Sequence, residues 1–194
     1  MAHVFARPAA IALLFLLAPG LALADARADL VSAYQKMMDG RFESQTVTSD
    51  GGKDQRIVAQ YDTMRRVHMT TPDMEIVMTP EGTWMRAGDK WMQPPFDMGA
   101  MMKRFMPTSI DQLQSGLSNI KDEGMQSVDG KSLRAISYDQ KMSVMGIDVT
   151  SHNKAFLDSS GRIVRAESTG EAMGRKSSTV QTIRYDDSIR VEKP

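Results

Sequence analysis

Residues 74–93, MEIVMTPEGTWMRAGDKWMQ, hold the pattern that decides the fold. Met74, Ile76 and Met78 alternate with Glu75, Val77 and Thr79, the two-residue period of a strand with one face toward an apolar core. Pro80-Glu81-Gly82 reverses the chain into a strand over 83–86, and Gly88-Asp89 reverses it again into 90–93. Strands so closely spaced leave no room for crossover helices, so the segment predicts an antiparallel meander.

Toward the N-terminus, residues 64–70, 56–61 and 42–48 read as further strands. Ile57, Ala59 and Tyr61 share one face of the second, and Asp50-Gly51-Gly52 is a hairpin signal after the third. Ahead of them, DLVSAYQKMM at 29–38 places Leu30, Tyr34, Met37 and Met38 at helical spacing, and Asp39-Gly40 stops the helix. Toward the C-terminus, Pro94-Pro95 ends the meander and the period changes. Met98, Met101, Met102, Phe105 and Met106 recur at i, i+3, i+4, i+7 and i+8, an apolar helical stripe over 96–106 that Pro107 closes. Ser109 and Gln112 form a capping box for a second short helix with Ile110, Leu113 and Leu117 on one side. Strands resume over 120–128, 132–140, 147–157, 162–168 and 178–185, with a last edge at 189–191. About ten strands, a leading helix and an inserted helical pair make an α+β chain. So large a sheet must curl to bury a face, which predicts a curved antiparallel sheet wrapped around the helices.

The first stretch, MAHVFARPAAIALLFLLAPGLALA at 1–24, predicts an export signal. Arg7 precedes an uncharged apolar run at 9–17, Pro19-Gly20 break it, and Ala22-Leu23-Ala24 is the small-x-small tripeptide that signal peptidase cleaves after. The run falls short of the roughly 20 residues that span a bilayer. Cleavage is expected before Asp25, leaving 25–194 as one domain, a soluble periplasmic monomer without a transmembrane anchor. The chain has no cysteine, which excludes disulfides, thiolate metal sites, cysteine nucleophiles and lipid attachment at a new N-terminal cysteine. Its 24 basic and 24 acidic residues cancel, which removes the basicity that nucleic-acid binding calls for. No Gly-x-Ser-x-Gly, His-Glu-x-x-His or phosphate-binding glycine loop is present. Asp186-Asp187 reads as a solvated turn and His152 as a surface residue, so neither catalysis nor a cofactor is expected.

The order of elements resembles the LolA-like periplasmic carriers of lipoproteins and lipids. Three stretches carry the resemblance: the helix at 30–38 running into 42–48; the series Glu75-Ile76-Val77-Met78, Glu81-Gly82-Thr83-Trp84 and Gly88-Asp89-Lys90-Trp91; and the ending Lys154-Ala155-Phe156-Leu157-Asp158, Gly161-Arg162-Ile163-Val164 and Ile183-Arg184-Tyr185-Asp186-Asp187. It covers essentially all of 25–194. The resemblance implies an unclosed, half β-barrel with a helical lid over an apolar cavity. It also implies a lipid acyl chain or lipoprotein as cargo, an envelope transport partner and a part in outer membrane biogenesis. The chain departs from the lipoprotein carriers at Met64-Arg65-Arg66, where that group's aromatic-rich stretch is missing. No single cargo is therefore carried over, and Arg56, Arg65, Arg66 and Arg86 all compete for the place of the family's lid-locking arginine.

Methionine is the compositional oddity: 17 residues of 194. Ten of them lie from Met64 to Met106, in the central hairpins and the predicted lid. Such flexible, polarizable side chains suit core filling, a deformable acyl-binding groove, or sacrificial oxidation. Thioethers also favour Cu(I), which makes Met98, Met101, Met102 and Met106 an alternative metal set, with His68 and Met69 as further ligands. The groove reading takes Met74, Ile76 and Met78 as one wall and Met98, Met101, Met102, Phe105 and Met106 as the other. Trp84 and Trp91 then stand at strand ends, as a rim or as simple packing.

Overall fold

The computed structural model of the chain describes residues 19–94, 110–144, 147–172 and 175–194. The elements run α1 (Pro19–Asp39), β1 (Phe42–Asp50), β2 (Lys53–Thr63), β3 (Arg66–Thr70), β4 (Glu75–Thr79), β5 (Gly82–Ala87), β6 (Lys90–Met92), α2 (Ile110–Gly116), β7 (Leu117–Val128), β8 (Lys131–Val144), β9 (Ile147–Leu157), β10 (Ile163–Ala172) and β11 (Arg175–Tyr185). The strands form one 11-stranded sheet in the order β6-β5-β4-β3-β2-β1-β11-β10-β9-β8-β7. Each half is a meander, and β1 joins them by pairing with β11 over its whole length, from Phe42 opposite Tyr185 to Asp50 opposite Ser177. The edge strands β6 and β7 do not pair with each other, so the sheet stays unclosed.

Local chemistry explains the turns. Asp129 and Gly130 both take positive φ, 50° and 76°, the geometry a two-residue hairpin needs between β7 and β8. Gly116 lets α2 run directly into β7, because a Cβ there would sit 2.6 Å from the Lys141 carbonyl oxygen. Leu117 therefore opens a strand and does not extend the helix as its spacing predicts. The leading helix also begins earlier than the predicted 29, at Pro19, because its alanines and leucines are strong helix formers. It thus runs through Ala22-Leu23-Ala24. No helix among the described residues is long and apolar enough to cross a membrane.

Two further differences have physical causes. Residues 189–191 form no strand. The Asp186 carboxylate accepts hydrogen bonds from the Ser188 amide and hydroxyl, and the Ile189 amide donates to the Asp186 carbonyl. That turn lifts the tail off the ladder and drops Ile189 and Val191 against Val77 and Trp84. The predicted lid helix at 96–106 and its neighbour Ser109 lie outside the described residues, and α2 is the described remainder of the inserted pair.

The main core lies between α1 and one face of the sheet, called the inner face below. Ala26, Leu30 and Ala33, spaced i, i+4, i+7, are fully buried against Phe42, Ile136, Ala155, Leu157, Ile163 and Ile183. Small alanines let the helix axis come close to the strands. Polar ties fix its position: Arg27 donates to the carbonyls of Gln114 and Leu117, Lys36 donates to Ser160 O at 2.7 Å, and Arg134 bridges Asp29 and Asp122.

Candidate functional site

The inner face continues beyond α1 into a wing formed by β2 to β6. Its register follows from two tight turns. Thr79 pairs with Gly82, which sets Ile76 opposite Met85; Ala87 pairs with Lys90, which sets Met85 opposite Met92. Met69 of β3 stands opposite Ile76 and Ala59 of β2. Ala59, Met69, Ile76, Met85 and Met92 thus make one cross-strand row over five strands. Val67 and Met78 pair in the adjacent row, and Met74 packs against the same cluster. Ala59, Val67, Ile76 and Met78 are buried, Met69, Met74 and Met85 half-buried, and Met92 is 55% exposed. Tyr61 links this wing to the main core: its ring stacks on Phe42 with centroids 4.5 Å apart, and its hydroxyl bonds to the buried Ser44.

Met74, Ile76 and Met78 therefore come together on the inner face. Trp84 and Trp91 do not join them. Trp84 pairs with Val77 and Trp91 with Arg86, on the opposite face, where Trp84 is buried under Ile189 and Val191 and Trp91 packs beside them. The alternation alone reveals two faces of β4, and both are covered: Val77 faces the tail and Ile76 the methionines. Met98, Met101, Met102, Phe105 and Met106 lie outside the described residues. Ala59 was placed on a strand face with Ile57 and Tyr61 by period, whereas Val67, Met69, Met85 and Met92 are wing residues that period alone did not single out. For Met85 and Met92 the signal was present in the two-residue turns at 80–81 and 88–89, which dictate cross-strand partners once a hairpin is assumed; Val67 and Met69 lie beyond a four-residue turn and a bulge.

The outer face carries the charges. Glu75 accepts from Arg86 at 2.9 Å and stands 2.8 Å from His68 Nε2, and these contacts, Arg86 foremost, hold its carboxyl below the ordinary range. Arg66 reaches both Glu81 and the Val191 carbonyl, and the Lys193 ammonium lies 5.4 Å from the Trp84 ring centroid, so the tail is tied across the wing. His152 is exposed and paired with Asp139. His68 thus faces away from Met69. No group of three histidine, aspartate or glutamate side chains among the described residues is placed to hold a metal ion. A polar depression of about 650 Å³, lined by Ser49, Thr150, His152, Thr169 and Lys176 among others, opens at the strand ends on this outer side.

No protein-family model matches the chain, and no curated protein matches it in sequence. Solved structures do match in fold. The chain is similar to the lipoprotein LppX of Mycobacterium tuberculosis, with a TM-score of 0.57 and 13% identity over 87% of this chain and 99% of that one. It is similar to LprF of Mycobacterium bovis, with a TM-score of 0.54 and 10% identity over 88% and 97%. A chain of the MucA/MucB complex of Pseudomonas aeruginosa matches with a TM-score of 0.51 and 13% identity, over 83% of this chain and 57% of that one. At such identities the likeness is one of fold, and the unclosed-barrel, LolA-like architecture implied by the sequence resemblance is the architecture of this chain.

Proposed function

We propose that this chain is an exported binding protein that holds an acyl chain of a lipid or lipoprotein against the methionine wing of its inner face. The carrying observation is the row Ala59, Met69, Ile76, Met85 and Met92, apolar throughout, with Ala59 and Ile76 buried and the three methionines each keeping part of their surface, Met92 at the sheet edge the most. Four inter-strand steps make it roughly 19 Å long. That is the scale of one extended long acyl chain. Removing such a chain from water contributes about 0.8 kcal/mol per buried methylene before the cost of immobilisation. Methionine suits the task because its unbranched thioether repacks around varied chains. The export signal at 1–24 and the fold likeness to a mycobacterial lipoprotein and to a chain of the MucA/MucB complex support an envelope location and a protein partner. The wing offers binding without covalent chemistry.

Native mass spectrometry of the protein purified from an envelope extract tests this reading: a co-purifying lipid mass is expected. A clean apo mass that gains one Cu(I) overturns it in favour of thioether metal binding. Met85→Glu, fourth of the five, is expected to abolish binding of a fluorescent acyl probe while the far-ultraviolet circular dichroism of the sheet is retained, and the volume-conserving Met85→Leu to bind the probe as the wild type does. Unchanged probe binding removes the row from the site.

A further inference from the structure

The outer face of the wing carries a feature that the methionine row does not account for. Past β11, residues 186–194 turn back across the sheet. The Asp186 amide donates to the Arg41 carbonyl at 3.0 Å, and the tail then meets Asp62 of β2, Arg66 of β3 and Trp84 of β5. Ile189 and Val191, 7% and 4% exposed, are as buried as Val77 and Trp84 beneath them. Asp62 is the centre of the attachment. Tyr61 stands opposite Val67 and Thr63 opposite Arg66, so Asp62 is the extra residue of a bulge between β2 and β3. Its carboxylate accepts from Arg41 Nε at 2.6 Å, and that bond first, with the Val191 amide contributing, holds the carboxyl below its ordinary range. Arg66 sends one arm to the Val191 carbonyl at 3.4 Å and the other to Glu81, in the β4–β5 turn, at 2.8 Å. Val191 is thus gripped through its amide and its carbonyl from the two sides of the bulge.

A bulge interrupts the ladder and bends the strand that carries it. This one stands where the wing leaves the main core. The fully packed residues around α1 come from β1 and from β7 to β11, none from β3 to β6, and β3 is five residues long against eleven in β2. The wing therefore hangs on a short, bulged ladder, and the tail spans that bulge on the outer side. The two faces also share one backbone. Val77 lies between Ile76 and Met78, and Trp84 precedes Met85, so the side chains that seat the tail alternate with those that line the methionine row. A movement of β4 and β5 that frees one set displaces the other.

We propose that residues 186–194 are a strap whose seat on the outer face regulates acyl binding on the inner one. Closed across the bulge, it holds the wing in its binding shape; lifted, it lets the wing bend at Asp62 and release the chain. This rests on the acyl-binding reading above and names the regulation of that site. Coupling of this kind is reciprocal, so an acyl ligand also tightens the strap. Titration with dansylated undecanoic acid, paired with amide hydrogen exchange on the same samples of the exported chain, tests it. Removal of residues 189–194 is expected to weaken probe binding about tenfold. It should also speed exchange in β3 to β5 while β8 and β9 keep their protection. Ile189→Ser/Val191→Ser, which unseats the tail without shortening the chain, is expected to give a smaller loss of the same kind and serves if the truncated chain does not fold. In the wild type, added probe should slow exchange of the Val191 amide, on the face away from the probe. Wild-type affinity in both variants, or a Val191 amide indifferent to probe, overturns the strap. Exchange speeded equally in β8 and β9 overturns it too, because the tail then serves only overall stability. Each of these failures leaves wild-type probe binding intact; its absence instead overturns the acyl reading and the regulation with it.

Discussion

Two apolar patches share the inner face of one sheet. Under α1, Phe42, Ile136, Ile163 and Ile183 meet a helix whose Ala26, Leu30 and Ala33 are fully buried. On the wing, Ile76 and Met78 are buried, yet Met69, Met74 and Met85 keep part of their surface and Met92 most of its own. The first patch is branched and aromatic side chains interlocked with a helix. The second is thioethers with no cover among the described residues. Tight packing of rigid side chains serves stability, whereas loose packing of flexible ones leaves a surface that can accept a guest.

The largest effect should come from breaking the first patch. Phe42→Ala removes the ring that stacks on Tyr61 and packs against Tyr185, and is expected to cost about 3–5 kcal/mol in urea unfolding. If the same substitution changed stability by less than about 1 kcal/mol, the contrast between the patches would be lost.

A second effect is set by pH. Burial pushes the Tyr185 phenol, beside Phe42, up to about 12. Its folded value lies above its unfolded one near 10, so its contribution is whole below about pH 10 and drains away as pH rises through about 12. Thermal melts of the wild type should fall across that window. Tyr185→Phe should flatten the decline, since its hydroxyl has no hydrogen-bond partner to lose. The smallest effect belongs to the wing. Met92→Leu keeps the apolar volume and is expected to leave stability within about 0.5 kcal/mol and acyl-probe affinity nearly unchanged. It should, however, remove one site of peroxide-induced mass gain, because an exposed thioether oxidises and leucine does not.

Much of this was legible in the chain. Alternation in 74–79, turn dipeptides at 88–89 and 129–130, and helical spacing in 30–38 placed most elements, because strand and helix periods are local properties of neighbouring residues. Of the candidate residues, the faces were legible in part. Met74, Ile76 and Met78 share their face as read, whereas Trp84 and Trp91 took the other, since a period separates two faces without saying what will cover each. Residues 189–191 carry a strand pattern and form none, because a carboxylate turn at Asp186 competes locally with the ladder.

The sequence by itself determined an antiparallel, cysteine-free, charge-balanced sheet protein with an export signal pattern and a concentration of methionines in its central hairpins. Registers were implicit only at the unbulged two-residue turns, as between β4 and β5 or β5 and β6; the longer β3–β4 and β9–β10 connections and the bulges in β2–β3 and β7–β8 left theirs to the folded sheet. Only the tertiary structure decided that β1 pairs with β11 and so brings the two meanders onto one face. That pairing joins residues more than a hundred positions apart, and no local period encodes it. The same pairing sets Thr48 against Thr179, their hydroxyls 3.1 Å apart. The methionines could be counted from the chain, but the inner face they share with Phe42 and Ile183 exists only once distant strands have met.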